Sequence, residues 1–402
     1  MMVRPKGVVP SSATNRFKVM RLIARMNVGG PAIQTSLLTE KLDPQRFESL
    51  LVTGVEAEGE GNMLELMGSA VQPLIVPSLG REISLRSDFR TLRAVLRLMQ
   101  RHRPYIVHTH TAKAGFIGRL AARLARVPIV VHTFHGNVFK GYFSPAKTRL
   151  FIALERWLAR GTDRIIVLSE QQKQEILSLG IGRPEQFRIV PLGLDLSRFA
   201  RELPPRGAIR RELGVDESTP LIGIVARLVP IKAIHLLLEA APAILKQYPQ
   251  ALFLLIGDGE SRDELDQLAH RLKIEKSVRF LGFRADLPQL YADLDCAVLC
   301  SLNEGLPVAI IEALASARPV VATDVGSVAN LVQLGRTGVL VPPGEPQPLA
   351  EGILQVLDNP EQAAQWGRNG REHVYPALDI QRLVNDIEAL YLNLLREKKL
   401  LQ

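Results

Sequence analysis

A chain of 402 residues, 47% apolar and 23% charged, has the balance of an ordinary folded protein and the length of two domains. Two cysteines, Cys296 and Cys300, exclude a disulfide scaffold and a four-thiolate zinc site, and no apolar run reaches the roughly 18 residues of a membrane-spanning helix. The net charge of +9 is unevenly spread: residues 1–200 hold 29 Lys+Arg against 15 Asp+Glu, residues 201–402 hold 21 against 26, and residues 101–150 hold nine cations and no acid. A basic half suits an anionic partner, whether a phosphorylated small molecule, anionic lipid or nucleic acid. The opening MMVRPKGVVPSSATNRF lacks the apolar block of a secretory signal, so a cytoplasmic protein is expected.

In chain order, short β-branched runs bounded by Gly, Pro, Asp or Asn predict strands at Val19–Ala24, Ser49–Val52, Leu74–Val76, Ile106–His108, Ile129–Thr133, Arg164–Leu168 and Phe187–Val190. A second series follows at Leu221–Val225, Leu252–Ile256, Val278–Leu281, Cys296–Cys300, Val320–Thr323 and Val339–Val341. Amphipathic helices are expected between them, as at Ala32–Leu42, Phe89–His102, Phe116–Arg126, Ile234–Gln247 and Glu264–Leu272. This alternation predicts parallel sheets covered on both faces. Two series fit two doubly wound α/β domains better than one eightfold barrel, with the junction near Pro191–Phe199.

Four segments at predicted strand ends could carry chemistry. Asn27-Val28-Gly29-Gly30-Pro31-Ala32 lets backbone approach a ligand and opens a helix whose N–H groups favour an anion; it lacks the G-x-G-x-x-G spacing of a dinucleotide site. HTHTAKAG (residues 108–115) and HTFHG (132–136) place four histidines close together; His110 and His135 fall near strand ends and are the better site candidates, whereas His108 and His132 read as core. No carboxylate lies among residues 101–150 to complete a metal site. Arg227 and Lys232 in ARLVPIK could clamp the two oxygen clusters of a diphosphate. In Glu304-Gly305-Leu306-Pro307-Val308-Ala309-Ile310-Ile311-Glu312, Pro307 and the glycine read as a helix start. On one helix the two carboxylates would stand ~12 Å apart, the distance from sugar to ribose in a nucleotide sugar. A solvated pair of carboxylates is the plain alternative.

Together, the E-x7-E segment with its NEGLP opening, the Arg227/Lys232 pair, the Gly29-Gly30 loop and the Thr-Phe-His135-Gly segment resemble retaining glycosyltransferases of family 4, from about residue 17 to about 395. HTHTAKAG and HTFHGNVFKGYFSP are similar to a bacterial branch acting in envelope polysaccharide synthesis. The resemblance implies the GT-B fold, two Rossmann-like domains facing a central cleft: an acceptor domain over 17–195, a nucleotide-sugar domain over 196–375, and a C-terminal helix within 376–402 crossing back onto the first. It also implies that Arg227 and Lys232 neutralise the donor diphosphate and that Glu312 takes the ribose hydroxyls. Glu304 would contact the sugar near the reacting centre. Backbone around Gly282, Phe283 and Arg284 would receive the base, and Gly305 and Leu306 would touch phosphate. His135 would sit on the acceptor side, beside the transferred sugar. The family often has Gly where this chain has Ala226 and Ala233, and Asn137 stands where His is common.

The expected reaction moves a sugar from a nucleoside diphosphate donor, UDP-linked by default, to a hydroxyl with retention and without metal or further cofactor. The alternatives are a nucleotide-sugar epimerase of the same fold, which would not explain the E-x7-E spacing, and a basic nucleic-acid-binding protein, for which no recognition motif is present. Arg86, Arg90, Arg93, Arg97 and Arg101 share one helical side; Arg81, Arg103, the four cations of Lys113–Arg126, and Lys140 beside Tyr142 and Phe143 add to the basic surface. An acceptor on the inner face of the plasma membrane, such as a polyprenyl diphosphate-linked sugar, would suit such a peripheral surface.

Overall fold

The computed structural model describes residues 16–56, 60–80, 84–136 and 145–401. Among the described residues thirteen strands form two all-parallel sheets. β1 (Phe17–Leu22), β2 (Phe47–Thr53), β3 (Leu74–Ile75), β4 (Ile106–His110), β5 (Ile129–Thr133), β6 (Arg164–Val167) and β7 (Phe187–Ile189) run in the order β3-β2-β1-β4-β5-β6-β7. β8 (Leu221–Val225), β9 (Leu252–Ile256), β10 (Val278–Gly282), β11 (Cys296–Leu299), β12 (Val320–Thr323) and β13 (Gly338–Val341) run β10-β9-β8-β11-β12-β13. β4, β5 and β9 are buried at every residue; β9 reads as a continuous apolar run without alternation, whereas β4 and β5 end in buried His and Thr. Both orders reverse direction once, between β1 and β4 and between β8 and β11.

Contacts divide the chain into one unit comprising Met1–Pro191 with Leu383–Gln402 and a second comprising Leu192–Arg382. The last helix, Ile380–Glu397, buries Leu383, Val384, Ile387, Leu390, Tyr391, Leu394 and Leu395 at helical spacing. From Leu383 on it packs on the first sheet: the Tyr391 ring meets Phe47 edge-on at 5.9 Å, and the Asp43 N–H donates to Glu388 at 2.7 Å. Both Glu397 oxygens accept from Arg164 Nη2, at 2.7 and 2.9 Å.

The second unit is closed at its start by a buried carboxylate. Asp293, 1% exposed, accepts from the backbone N–H groups of Gly207, Ile209 and Arg210 at 2.5, 2.7 and 3.3 Å, capping the helix Ala208–Leu213. Arg210, also buried, donates to Asp295 at 2.7 Å and to the Thr219 carbonyl at 2.8 Å. Truncating the carboxylate leaves three N–H groups without their acceptor and removes the negative charge 3.8 Å from Arg210 Nε. Asp293→Ala should therefore cost about 3 kcal/mol or more and lower the Tm by several degrees; a thermal melt within 1–2 °C of wild type, roughly the shift expected from less than 1 kcal/mol, would contradict this account.

Candidate functional site

In a doubly wound sheet the loops after the two strands flanking an order reversal run to opposite faces and leave a crevice at the strands' carboxyl ends. In the first unit, the loop after β1 carries Gly29 and Gly30. Gly29 precedes the helix Gly30–Lys41, its carbonyl accepting from Ala32 and Ile33 at 3.1 Å, with Pro31 in the first turn. The approach to this turn is fixed by an Arg25–Glu60 ion pair and by the Met26 N–H donating to Glu56 at 3.1 Å.

The histidines gather next to it. β4 runs two residues beyond the expected His108, so His110 lies on the strand and is wholly buried. Its Nδ1 meets Nε2 of His135, just past β5, at 2.9 Å. His108 is held between the Tyr391 hydroxyl, 2.6 Å from Nδ1, and the Thr133 hydroxyl, 2.7 Å from Nε2. His132 faces the other side of the sheet, with Nδ1 2.8 Å from the Thr109 hydroxyl. Burial pushes all four imidazoles down, His135 to about 4, so each is neutral at physiological pH. Among the described residues no group of three or more His, Cys, Asp and Glu side chains could hold a metal ion.

In the second unit the same position is taken by the loops after β8 and β11. Arg227 is exposed and has no side-chain partner among the described residues. Lys232 ends a short 3₁₀ turn, Pro230–Lys232, and reaches across to Glu304, Nζ to Oε1 2.5 Å. The Ser301 hydroxyl donates to the same oxygen at 2.7 Å. Gly326 supports this loop from behind: at φ +56° a side chain is disfavoured, and a Cβ there would stand 1.8 Å from the Glu304 carbonyl oxygen. Ala233 sits at φ 47°, ψ 39°, a left-handed conformation better suited to Gly.

Glu304 lies four residues ahead of the helix Val308–Ala315, with Pro307 as its cap, so the ~12 Å helical spacing between the two glutamates does not apply. Gly305 and Leu306 lie in the turn before that cap. Glu312 is on the helix and 9% exposed; the Tyr291 hydroxyl lies 3.3 Å from Oε2 while donating to the Ala309 carbonyl at 2.9 Å. Burial raises the Glu312 carboxyl to about 7, opposed by Tyr291 and by the charge of Arg198. Gly282 ends β10 at φ 64°, and Phe283 beside it is exposed. The Arg284 side chain is occupied by Glu212 and Asp286, at 2.7–2.8 Å.

The sequence reading missed Ser301, Gly326 and Tyr291. Ser301 lies three residues before Glu304 and was within reach of a closer look; the other two depend on which loops the topology brings together. Asn137 and the Lys140, Tyr142 and Phe143 cluster lie outside the described residues, as does Arg81. Two cations counted as surface charge are paired: Lys113, half-buried, meets Asp88 at 2.8 Å, and Arg119, 3% exposed, donates from Nη2 to both Glu155 oxygens at 2.7 Å.

The raised Glu312 carboxyl predicts a pH effect. Its folded pKa lies above the ordinary 4.5, so folding favours the protonated form; the benefit is complete below pH 4.5 and is lost as pH rises through 7. Glu312→Gln removes this dependence. Its stability relative to wild type should improve from pH 4 to pH 8, by on the order of 3 kcal/mol in urea titrations; parallel pH profiles would refute it.

Residues 205–373 match the family described as glycosyl transferases group 1, and residues 29–193 match the glycosyl transferase 4-like domain. The chain is 29% identical over 362 residues to an Escherichia coli UDP-Gal:alpha-D-GlcNAc-diphosphoundecaprenol alpha-1,3-galactosyltransferase, covering 89% of this chain and 92% of that protein. It is 31% identical over 274 residues to EpsD of Bacillus subtilis, named a putative glycosyltransferase, covering 66% and 71%. Among solved structures, Anabaena HepE in complex with UDP-glucose superposes with a TM-score of 0.76 at 26% identity, covering 94% of this chain and 99% of that one; HepE with UDP gives 0.74 at 25% over the same shares. With its two parallel sheets reversing order at the loops just described, the chain belongs to the group 1 glycosyltransferases and has the GT-B fold.

Proposed function

We propose that this glycosyltransferase moves a sugar from a UDP-sugar to a hydroxyl of a polyprenyl diphosphate-linked glycan, with retention, in envelope polysaccharide synthesis. The observation that carries the reading is the Lys232–Glu304 pair, which ties the loops on either side of the second sheet's reversal while Arg227 stays unpaired beside them. Arg227 and Lys232 are then the groups that meet the donor diphosphate. As the sugar–phosphate bond breaks, negative charge grows on the leaving oxygen, and two fixed cations stabilise it without a metal ion. Glu304 meets the sugar, and Glu312, on the helix behind, accepts from the ribose hydroxyls. The backbone of Gly282 and Phe283 meets the base, Gly305 and Leu306 the phosphate. In the first unit, Gly29 and Gly30 border the acceptor region, and His135 stands beside the transferred sugar. The leaving phosphate takes the acceptor proton. UDP is supported by the HepE complexes, and a lipid-diphosphate acceptor by the name of the Escherichia coli relative. Retention rests on the Glu304-x7-Glu312 segment.

The two glutamates separate by experiment. In calorimetric titrations with EDTA present, Glu312→Ala should weaken UDP at least tenfold, roughly the 1.4 kcal/mol of one lost hydrogen bond to a charged group, because UDP carries the ribose. Glu304→Ala should leave UDP within about threefold and depress turnover of the UDP-sugar. Equal loss of UDP affinity in both would contradict the assignment.

We also propose that the first unit docks on an anionic leaflet through the helix Leu85–His102. Arg86, Arg90, Arg93, Arg97 and Arg101 are all exposed along it, and Phe89 is 59% exposed with the Arg93 guanidinium 5.5 Å from its ring centre. No described helix is long and apolar enough to cross a membrane. Each cation near such a surface contributes about 1 kcal/mol, weakened by salt. Co-sedimentation with anionic vesicles at low salt should exceed that with neutral vesicles, fall at high salt, and drop when the five arginines are changed to glutamine. Equal recovery on both vesicle types would remove the membrane from the proposal and leave the transferase intact.

A further inference from the structure

His135 has been placed beside the transferred sugar, and what an imidazole can do there depends on which nitrogen carries its proton. The first sheet decides it. His110 Nδ1 and His135 Nε2 are 2.9 Å apart, with ring centres 5.1 Å apart and planes inclined by 31°. Two nitrogens at that distance share one hydrogen, so one ring donates and the other accepts.

The remaining nitrogen of His110, Nε2, is buried and has no partner among the described residues. His110 is a neutral ring with one proton, since it is wholly buried beside other imidazoles and the Arg21 guanidinium. A proton on Nε2 would be a buried N–H with nothing to meet, which costs the full desolvation of a donor. On Nδ1 the same proton is used, and an idle lone pair is left at Nε2. His110 therefore donates through Nδ1, and His135 accepts at Nε2. His135, neutral as well, must carry its own proton on Nδ1; that atom has no partner among the described residues either, but His135 is only half-buried, and its Nδ1 is not a buried orphan as His110 Nε2 is.

The His110 ring is itself held. His108 packs against it, centres 4.3 Å apart and planes inclined by 31°, and is pinned by Tyr391 and Thr133. The C-terminal helix thus reaches the His135 ring through two stacked imidazoles.

We propose that His110 is a positioning residue that fixes His135 as the Nδ1–H tautomer, so that His135 meets the donor sugar as a hydrogen-bond donor through Nδ1 and not as an acid or base through Nε2. The functional half rests on the reading of His135 as a neighbour of the sugar; the tautomer does not.

Nitrogen–carbon-proton correlation spectra of the full chain labelled with ¹⁵N-histidine, with His135 assigned from the signals lost in His135→Gln, read the tautomer directly at pH 7.5. The expected pattern is a protonated Nδ1 and an unprotonated Nε2 on His135. His110→Phe, which fills the space without a donor, should shift His135 toward the Nε2–H form and lower kcat by about tenfold, the equivalent of ~1.4 kcal/mol, with the donor KM within about threefold. His110→Asn, whose side-chain NH₂ stands near the place of Nδ1–H, should restore both. A wild-type His135 protonated on Nε2 overturns the proposal even if no variant folds, as does an unchanged tautomer in His110→Phe. If the tautomer is as expected but His135→Ala leaves turnover unchanged, the placement of His135 at the sugar fails and the tautomer assignment stands.

Discussion

Two neighbouring strands that are parallel cannot be joined by a tight turn. Each needs a crossover, and crossovers keep one hand, so the side on which a helix lands is set by the direction in which the next strand is added. Both sheets add strands outward from β1 and β8 in one direction, then start again on the other side with β4 and β11. At those two places adjacent loops part, and most of the residues given a role in the chemistry are reached from them; His135 follows β5 instead, and Gly282 and Phe283 stand at the end of β10. Gly29 and Gly30 follow β1, and His110 ends β4. Arg227 and Lys232 follow β8, and Ser301 and Glu304 follow β11. The Lys232–Glu304 pair is the one described contact that spans such a parting with opposite charges, 20% and 9% exposed at the side chain. A pair this dry is held by geometry as well as by charge, because Ser301 occupies the same carboxylate oxygen.

Strands were legible wherever burial on both faces made them short, β-branched and continuous. All thirteen stand within a few residues of where the sequence places them, because Gly, Pro, Asp and Asn mark their ends. The family, the cationic pair and the two glutamates were legible as well, since each lies in one short segment. What escaped was whatever depends on two segments far apart in the chain. Pro307 was legible as the helix start and does cap Val308–Ala315; the helical spacing read across Glu304-x7-Glu312 fails because Glu304 lies ahead of that cap. Lys113 and Arg119 read as surface charge because their partners, Asp88 and Glu155, are invisible from within HTHTAKAG and its helix. Two extra residues on β4 turned His110 from a rim residue into a core one.

Each unit buries one ionisable group near its candidate residues, with different results. In the first, Arg21 is wholly buried; one nitrogen donates to Ser49 at 3.2 Å, and Nε and Nη2 have no partner among the described residues. Burial weakens its hold on its proton, partly restored by the Tyr391 hydroxyl. A guanidinium there keeps neighbouring rings uncharged and favours electron-rich groups nearby. In the second, the buried Glu312 has a phenol beside it and a distant Arg198, and it gains a proton more easily than an ordinary carboxyl.

The helix that returns to the first sheet also sets the order in which the protein can be finished. His108 and Tyr391 are 283 positions apart, yet their side chains meet at 2.6 Å in the middle of one unit. A ribosome moving at about 5–20 residues per second takes on the order of tens of seconds to cover that interval, during which the whole of Leu192–Arg382 emerges and can fold. Throughout that time the face of the first sheet that carries His108 and Phe47 lacks its cover, with a polar ring and apolar side chains open to water or to other chains. That face of the first sheet therefore stays uncovered until the chain of the second unit has emerged, and the His108–Tyr391 contact closes only after it.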